Sequence, residues 1–294
     1  MPQTHTPNPL LSLGTFMATI IGVGFFGLPY IGAKTGFIPL VLGFFVLTPV
    51  IIAIHIRFAR VVVGTKERDR IPGYVSRYIG EKWKWASLAV STVGMLGSLL
   101  AYLIIGGNFL RLVFSPWFHI TPFSATFLFF LAGILLILRG ARSVARLDFA
   151  LMAIFFIIAF YLLGASVPHI VTANLAATQW TALPLSYGVI VFSLWGMALV
   201  PETAELVNNS KPLTRAVIIT AMTVSALFYI LFVFFVVGVT GNATTPDALT
   251  GFLSILGRTV VVPAALFGCI ATFTSFVNNG LTLRPCILLG IGKP

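Results

Sequence analysis

The sequence IIGVGFFGLPY, at residues 20–30, lies in the middle of an apolar run that extends from about residue 10 to residue 33. The run is long enough to span a bilayer as a helix. Three glycines and a proline nevertheless fall between Gly22 and Pro29, where an undisturbed helix favours leucine and alanine. Such a break is tolerated in hydrocarbon only inside protein or beside a wet cavity, and its freed amides and carbonyls can bind a carboxylate and a cation. The glycines also fit a helix that simply packs closely against a neighbour.

The composition is that of an integral membrane protein. Hydrophobic residues make up 58% of the chain and charged residues 9%, whereas about a quarter of a soluble domain is charged. Cys269 and Cys286 fit no metal or disulfide pattern and are interpreted as small apolar residues. Hydropathy predicts eight spans, at about 10–33, 37–60, 86–112, 123–140, 147–168, 185–206, 213–240 and 256–281.

The distribution of basic residues predicts the orientation of these spans. The net charge of +11 could indicate a nucleic-acid partner. Of the 18 lysines and arginines, however, only Lys34, Arg111 and Arg258 fall on one side of the predicted spans. Because positively charged loops stay in the cytoplasm, the other side and both termini are predicted to be cytoplasmic. The lipid bilayer is therefore an expected partner, and nucleic acid is not.

The sixth span carries a second irregular segment, YGVIVFSLWGMALVPE at residues 187–202. Gly196 lies in the stretch 193–197, where we expect the helix to unwind, and Pro201 follows it. The first span runs outward and the sixth runs inward. Two interrupted helices of opposite direction, five spans apart, are typical of an inverted-repeat transporter whose site lies between them.

Two polar positions near these spans have alternative interpretations. Glu202, with Glu205 on the same helical face, lies at the cytoplasmic end of span six. It forms either an ion pair near Lys211 and Arg215 or part of an inner gate. Tyr102, in the middle of span three, either closes a site with its ring and hydroxyl or packs between helices.

Span eight places Thr274 and Ser275 side by side, with Ala271 one turn earlier. Two hydroxyls at this spacing can help to coordinate Na⁺ together with carbonyls freed at the break in span one. The alternative is that both hydroxyls bond back to the preceding turn, as Ser and Thr often do in membrane helices.

A membrane enzyme is not expected from the sequence. No catalytic grouping, metal-ligand spacing or phosphate-binding loop occurs in it. The four histidines are predicted to lie scattered at span ends or in loops, without a shared site: His5, His55, His119 and His169.

The stretch GVGFFGLPY at 22–30, followed by TGF at 35–37, resembles the first helix of the amino acid/auxin permease family. This family belongs to the wider amino acid–polyamine–organocation superfamily. The stretches 74–83, 192–202 and 272–276 also resemble their family counterparts, and the greatest similarity is to bacterial aromatic amino acid permeases.

The resemblance implies an all-α membrane protein with a leucine-transporter-like inverted-repeat bundle, in which helices one and six are discontinuous. Residues 1–294 would form one transporter domain, with repeat one at about 10–168 and a partial repeat two at about 185–281. The implied function is a secondary amino acid permease, a symporter in the plasma (inner) membrane. It would move an apolar or aromatic amino acid by ion-coupled alternating access.

The resemblance also implies a substrate site at the two breaks. Backbone amides in the first break would bind the carboxylate, carbonyls in both breaks would bind the ammonium, and Phe192 and Trp195 would border the side chain. With Tyr102, the substrate site would comprise Ile20, Ile21, Gly22, Val23, Gly24, Tyr102, Phe192, Ser193 and Trp195.

The coupling ion is the only cofactor that the resemblance implies. In sodium-coupled relatives, the ion ligands match Ala18, Ile21, Ala271, Thr274 and Ser275. Proton-coupled relatives often place a lysine in span five. Its absence here favours Na⁺ over H⁺, although bacterial aromatic permeases are typically proton-coupled.

The predicted span count departs from the family. Members have ten or more spans, and this sequence predicts eight. We therefore expect either a fragment or a shortened protein that completes itself by oligomerising. The alternative function is a truncated, non-transporting binding or sensor protein of the same fold.

Overall fold

The computed structural model describes residues 6–66, 69–115, 117–139, 141–256 and 260–290, without the side chains at 23, 141–149, 253–254, 261 and 284–290. In these ranges the chain is all-helical, as predicted, apart from one isolated bridge between Gly36 and Thr178. The helices, in chain order, are α1 Pro9–Ile20, α2 Gly27–Thr35, α3 Phe37–Gly64, α4 Ile71–Tyr78, α5 Glu81–Phe114, α6 Pro122–Arg139, α7 Ala141–Ser166, α8 Ala173–Ala176, α9 Leu183–Ser193, α10 Val200–Leu206, α11 Lys211–Thr240, α12 Leu249–Leu256 and α13 Val261–Gly290.

The chain is a multi-pass membrane protein. Within the described ranges, 7 helical segments are long and apolar enough to cross a membrane. An eighth span results when α1 and the segment Gly24–Thr35, which meet at a bend of 54°, are counted together. Helices α9 and α10 belong to one span, Trp180–Leu206. These spans coincide with the predicted ones to within several residues at their ends.

Two helices, α11 and α13, form the centre of the bundle. In the most apolar window of each, 61% and 67% of the residues are buried, against 6% for α5. Helix α11 packs against α1, α2 and α3, and α13 packs against α5, α6 and α7. Since α1 contacts both central helices, the first span lies inside the bundle rather than on its lipid-facing surface.

The first and sixth spans run antiparallel with their halves paired. The N–H of Asn8, which caps α1, donates to Leu206 O at 3.0 Å. Ser12 Oγ donates to Thr203 O at 3.0 Å. Helix α1 thereby packs against α10, while α2 packs against α9. The start of span one meets the end of span six, and the irregular segments of both spans meet between these ends.

Gly36 sets the turn between α2 and α3. Its φ of +95° lies in a region that L side chains rarely adopt, and a Cβ there would lie 2.3 Å from Ala177 O. The close approach lets Gln179 N–H donate to Thr35 O at 2.8 Å. The far end of span one is thus fixed to the loop that leads into span six.

Candidate functional site

Regular helix stops in span one at Ile20. The Gly22 N–H turns back to Ile20 O at 2.8 Å, and the first bond of a new 3₁₀ turn, Val23–Phe26, runs from Phe25 N–H to Gly22 O at 3.4 Å. The amides of Val23 and Gly24 therefore open this turn, where amides lack an intrahelical acceptor. Of the three amides predicted to bind a carboxylate, that of Gly22 is already engaged and the other two begin a turn.

Regular helix stops in span six at Ser193. Leu194 N–H and Trp195 N–H still bond backward, to Ile190 O at 3.1 Å and Phe192 O at 3.3 Å. Gly196 N–H donates instead to His55 Nε2 at 3.2 Å. A 3₁₀ turn, Met197–Leu199, precedes α10. The irregular backbone, residues 194–199, overlaps the stretch 193–197 that the sequence indicates and extends beyond it.

Glycines bring the two irregular segments into contact. A Cβ on Gly24 would lie 2.9 Å from Phe192 Cδ1 and 3.1 Å from Ser193 Cα. A Cβ on Gly196 would lie 3.0 Å from Ile20 Cγ1. Because these distances are shorter than ordinary van der Waals contact, a side chain at Gly24 would overlap Phe192, and a side chain at Gly196 would require its neighbours to shift by a few tenths of an ångström. The glycines therefore also let spans one and six pack closely, as the alternative interpretation describes, and they do so where the helices of both spans stop.

The hydroxyl of Tyr229 joins the two helix ends. It lies 2.9 Å from Ile20 O and 3.1 Å from Ser193 O, which are the last carbonyls of α1 and α9. Tyr229 is fully buried in α11, and its ring stacks on that of Phe25 with the centroids 5.8 Å apart. A hydroxyl has one proton, so it donates to one of the two carbonyls at a time, and Ile20 O also accepts the Gly22 N–H at 2.8 Å.

Tyr229 is not among the site residues predicted from the sequence. The available signal was a hydroxyl in the middle of an apolar span, where burial requires a hydrogen-bond partner. The same signal led instead to Tyr102, which packs with Phe129, Phe276 and Val277 in a cluster separate from the one that holds Ile20. These contacts fit the alternative interpretation, in which Tyr102 packs between helices.

Aromatic rings surround the irregular segment of span one. Phe25 is fully buried, with ring centroids 5.0 Å from Phe232 and 5.7 Å from Phe267. Phe192 and Trp195 are 49% and 45% exposed. The predicted aromatic lining is therefore divided between an enclosed side at Phe25 and an accessible side at Phe192 and Trp195.

Span eight touches the irregular segment of span one through Ser275. A Cβ on Gly22 would lie 2.5 Å from Ser275 Oγ. Thr274 Oγ1 and Ser275 Oγ donate to Ala271 O, at 3.2 Å and 3.0 Å, as the turn-bonding alternative describes. Both hydroxyl oxygens keep their lone pairs. The other predicted ion ligands, Ala18 and Ile21, are also buried, and the ion site stays a prediction.

Glu202 forms an ion pair with Arg70, which precedes α4 in the linker between spans two and three. Arg70 Nη1 also donates to Ala198 O at 3.5 Å. The basic partner thus comes from the linker and not from Lys211 or Arg215, which the sequence placed nearby. Oε2 of Glu202 is buried without a hydrogen-bond partner among the described residues. The pair ties the end of span six to α4.

The prediction for His55 was wrong. His55 is fully buried, and α3 continues beyond it to Gly64. Its Nδ1 lies 2.8 Å from Ile51 O, and its Nε2 accepts the Gly196 N–H. The error arose because the span was expected to end at residue 60, where a histidine would be interfacial. His119 and His169 are exposed, and His5 lies outside the described residues.

The sequence model of the tryptophan/tyrosine permease family matches residues 7–289, which include both irregular spans and Ser275. A comparison with curated proteins gave no match. The family match agrees with the predicted amino acid permease superfamily and indicates a transporter rather than an enzyme. The chain belongs to the tryptophan/tyrosine permease family.

Proposed function

We propose that this protein is a secondary transporter that moves an aromatic amino acid, such as tryptophan or tyrosine, by cation-coupled alternating access. Membership of the tryptophan/tyrosine permease family supports the amino acid and its aromatic side chain. One observation carries the site: the Tyr229 hydroxyl lies within hydrogen-bond distance of the last carbonyls of both α1 and α9. The substrate binds where these carbonyls meet.

Two helix-end carbonyl oxygens that lie within reach of the same hydroxyl suit an ammonium group. An ammonium has three N–H donors, whereas the Tyr229 hydroxyl has one. Hydrogen bonds from an ionised donor are also about twice as strong as neutral ones. The α-ammonium of the substrate therefore binds Ile20 O and Ser193 O, with the nearby carbonyls of Ile21 and Phe192 as further acceptors. The Tyr229 hydroxyl then leaves at least one of its two carbonyls.

The carboxylate of the substrate binds at the start of the 3₁₀ turn in span one. The opening amides of Val23 and Gly24 point away from a helix start, where the backbone carries partial positive charge. The Gly22 amide joins them only if it releases Ile20 O. An amino acid bound in this way has its ammonium at the ends of α1 and α9 and its carboxylate at the start of the 3₁₀ turn Val23–Phe26.

The substrate ring lies on the accessible side of the two segments. A Cβ on Gly24 would lie 2.9 Å from the Phe192 ring, and the rings of Phe192 and Trp195 are both partly exposed. Aromatic pairs contribute about 0.5–1.5 kcal/mol beyond the apolar area they bury. Phe192 and Trp195 therefore favour an aromatic side chain, and Tyr102 completes the proposed substrate set.

The transport cycle couples to Na⁺ or H⁺ in a leucine-transporter-like inverted repeat. Antiparallel pairing of α1 with α10 and α2 with α9 supports this repeat. For Na⁺, carbonyls of Ala18, Ile21 and Ala271 join the hydroxyls of Thr274 and Ser275. The Arg70–Glu202 pair serves as an inner gate on the cytoplasmic side, in the plasma (inner) membrane with both termini cytoplasmic.

Counterflow in proteoliposomes tests this function. Liposomes preloaded with unlabelled tryptophan should take up labelled tryptophan or tyrosine through the wild-type protein. Tryptamine, which lacks the carboxylate, and indole-3-propionate, which lacks the ammonium, should compete poorly. Gly24→Leu should abolish exchange, because its side chain would overlap Phe192 and Ser193. Gly188→Leu is the matched control, since a Cβ there meets open space.

Two results would contradict the proposal. Normal exchange by Gly24→Leu would exclude the site between the segments. Saturable tryptophan binding without exchange by the wild-type protein would favour the alternative, a non-transporting binding or sensor protein of the same fold.

A further inference from the structure

The hydrogen bonds of His55 define its protonation state. Nδ1 lies 2.8 Å from Ile51 O, and a carbonyl only accepts, so Nδ1 carries a proton. Nε2 lies 3.2 Å from the Gly196 nitrogen, and a backbone N–H only donates, so Nε2 is unprotonated. In this conformation His55 is a neutral imidazole whose single acceptor holds the backbone of span six.

The imidazole also contacts both irregular spans through its ring. Its centroid lies 6.3 Å from that of Phe16 in α1 and 5.5 Å from that of Trp195. Gly196 lies against the same Phe16, since a Cβ there would be 3.1 Å from Phe16 Cζ. A displacement of Gly196 would therefore disturb α1 as well as span six.

No charged side chain among the described residues contacts the imidazole. Glu202 pairs with Arg70, and the Tyr229 hydroxyl bonds the helix-end carbonyls. The titratable groups on α3 itself and on the helices around it are Tyr30, Lys34, Arg57, Arg60, Tyr74, Arg77, Tyr78, Tyr187, Glu202, Glu205, Lys211, Arg215 and Tyr229. Among the described residues, the polar group that faces Nε2 is therefore the Gly196 amide.

We propose that Nε2 of His55 is the proton-binding site that couples a proton gradient to the movement of span six. This inference rests on the proposed transport function. A proton added to the Nε2 lone pair forms an N–H bond and breaks no covalent bond. The imidazolium then points an N–H at the Gly196 N–H, so two donors face each other and the hydrogen bond is lost. The Gly196 amide must find another acceptor, which requires the segment 194–197 to move.

The reverse step returns the carrier to the described conformation. Loss of the Nε2 proton to the other side of the membrane restores the acceptor, and Gly196 returns to it. One proton is carried for each cycle of movement. Histidine suits this role because an imidazole nitrogen that accepts a hydrogen bond becomes a donor when it binds a proton. The proposal assigns the coupling of H⁺ to His55, at a position distinct from the Na⁺ ligands proposed around Ser275.

Separating exchange from accumulation tests the proposal. His55→Gln keeps an acceptor for Gly196 N–H and a donor for Ile51 O but cannot titrate. His169→Gln, at an exposed position, is the matched control. With a proton gradient of one pH unit, the wild type and His169→Gln should accumulate labelled tryptophan up to about tenfold. His55→Gln should catalyse counterflow yet accumulate none, and an enclosed pH dye should register no substrate-driven proton entry.

The outcomes distinguish this inference from the proposed function. If the wild type catalyses counterflow and His55→Gln accumulates as much tryptophan as the wild type, the role of His55 is overturned and the transport function stays intact. Accumulation by the wild type with a sodium gradient and none with a proton gradient would do the same. Absence of counterflow in the wild type would overturn both.

A measurement on the wild type covers the case in which His55→Gln does not fold. In ¹⁵N-histidine-labelled protein, one of the four histidines should show Nδ1 protonated and Nε2 unprotonated at neutral pH without substrate. Its Nε2 should gain a proton when tryptophan is added at acidic pH. An imidazole at this site whose Nε2 never takes a proton across the transport range would overturn the proposal.

Discussion

The contact between Gly22 and Ser275 gives a prediction whose magnitude follows from the geometry. A Cβ on Gly22 would lie 2.5 Å from Ser275 Oγ and 3.2 Å from Ser275 Cβ. The backbone at Gly22, with φ −117°, accepts alanine without strain. Overpacking costs about 1–3 kcal/mol, and the smaller entropy of the unfolded chain returns about 0.4–1 kcal/mol. Gly22→Ala should therefore lower the stability by about 1–2 kcal/mol.

Substitution of the partner should rescue the variant. Ser275→Ala removes the atom at 2.5 Å and leaves the contacts with Ser275 Cβ at 3.2 Å and Thr19 O at 3.7 Å. Gly22→Ala combined with Ser275→Ala should therefore be more stable than the sum of the single effects, with a coupling of about 0.5–3 kcal/mol. The matched control is Gly27→Ala, whose Cβ would meet Val189 Cγ1 at 3.7 Å, an ordinary contact.

Thermal unfolding in detergent, followed by tryptophan fluorescence, measures these effects, with a shift of about 2–4 °C for each kcal/mol. Counterflow of labelled tryptophan provides the functional readout for the same variants. If Gly22→Ala has the same thermal stability as Gly27→Ala, the contact between spans one and eight is refuted. Strictly additive effects of Gly22→Ala and Ser275→Ala would refute it as well.

Three further predictions concern the other contacts of the site. Tyr229→Phe should lose about 1–3 kcal/mol of stability without substrate but keep tryptophan binding, because the ammonium replaces the hydroxyl; lost binding at unchanged stability would contradict this. Thr274→Val should raise the sodium concentration for half-maximal uptake at least about tenfold if Thr274 binds the ion, and an unchanged sodium titration would exclude Thr274 as a ligand. Arg70→Gln and Glu202→Gln should each slow exchange, and the double variant should be no slower than either; independent effects in this double-mutant cycle would argue against a paired gate.

The spans could be predicted from the sequence because each depends on local composition. An apolar run of sufficient length predicts a span wherever it packs. The irregular segment in span one was likewise indicated by glycines and a proline within a few residues of Gly22. The opposite direction of spans one and six also followed from the sequence, whereas the pairing of their halves is seen only in the fold.

The side chains that meet at the site could not be predicted, because they depend on tertiary packing. Tyr102 and Tyr229 are both tyrosines in the middle of apolar spans, and only the hydrogen bonds of Tyr229 to the ends of α1 and α9 distinguish it. His55 was missed because the histidine acquires its role from an amide that lies 141 residues along the chain. Arg70 replaced the expected partners of Glu202 for a similar reason: the linker folds back as α4.

A structure of the protein with bound tryptophan tests the central claim most directly. The ammonium nitrogen should lie within hydrogen-bond distance of Ile20 O and Ser193 O, the carboxylate should face the amides of Val23 and Gly24, and the Tyr229 hydroxyl should have left at least one carbonyl. Tryptophan bound elsewhere, with the Tyr229 hydroxyl still between the two helix ends, would contradict the account.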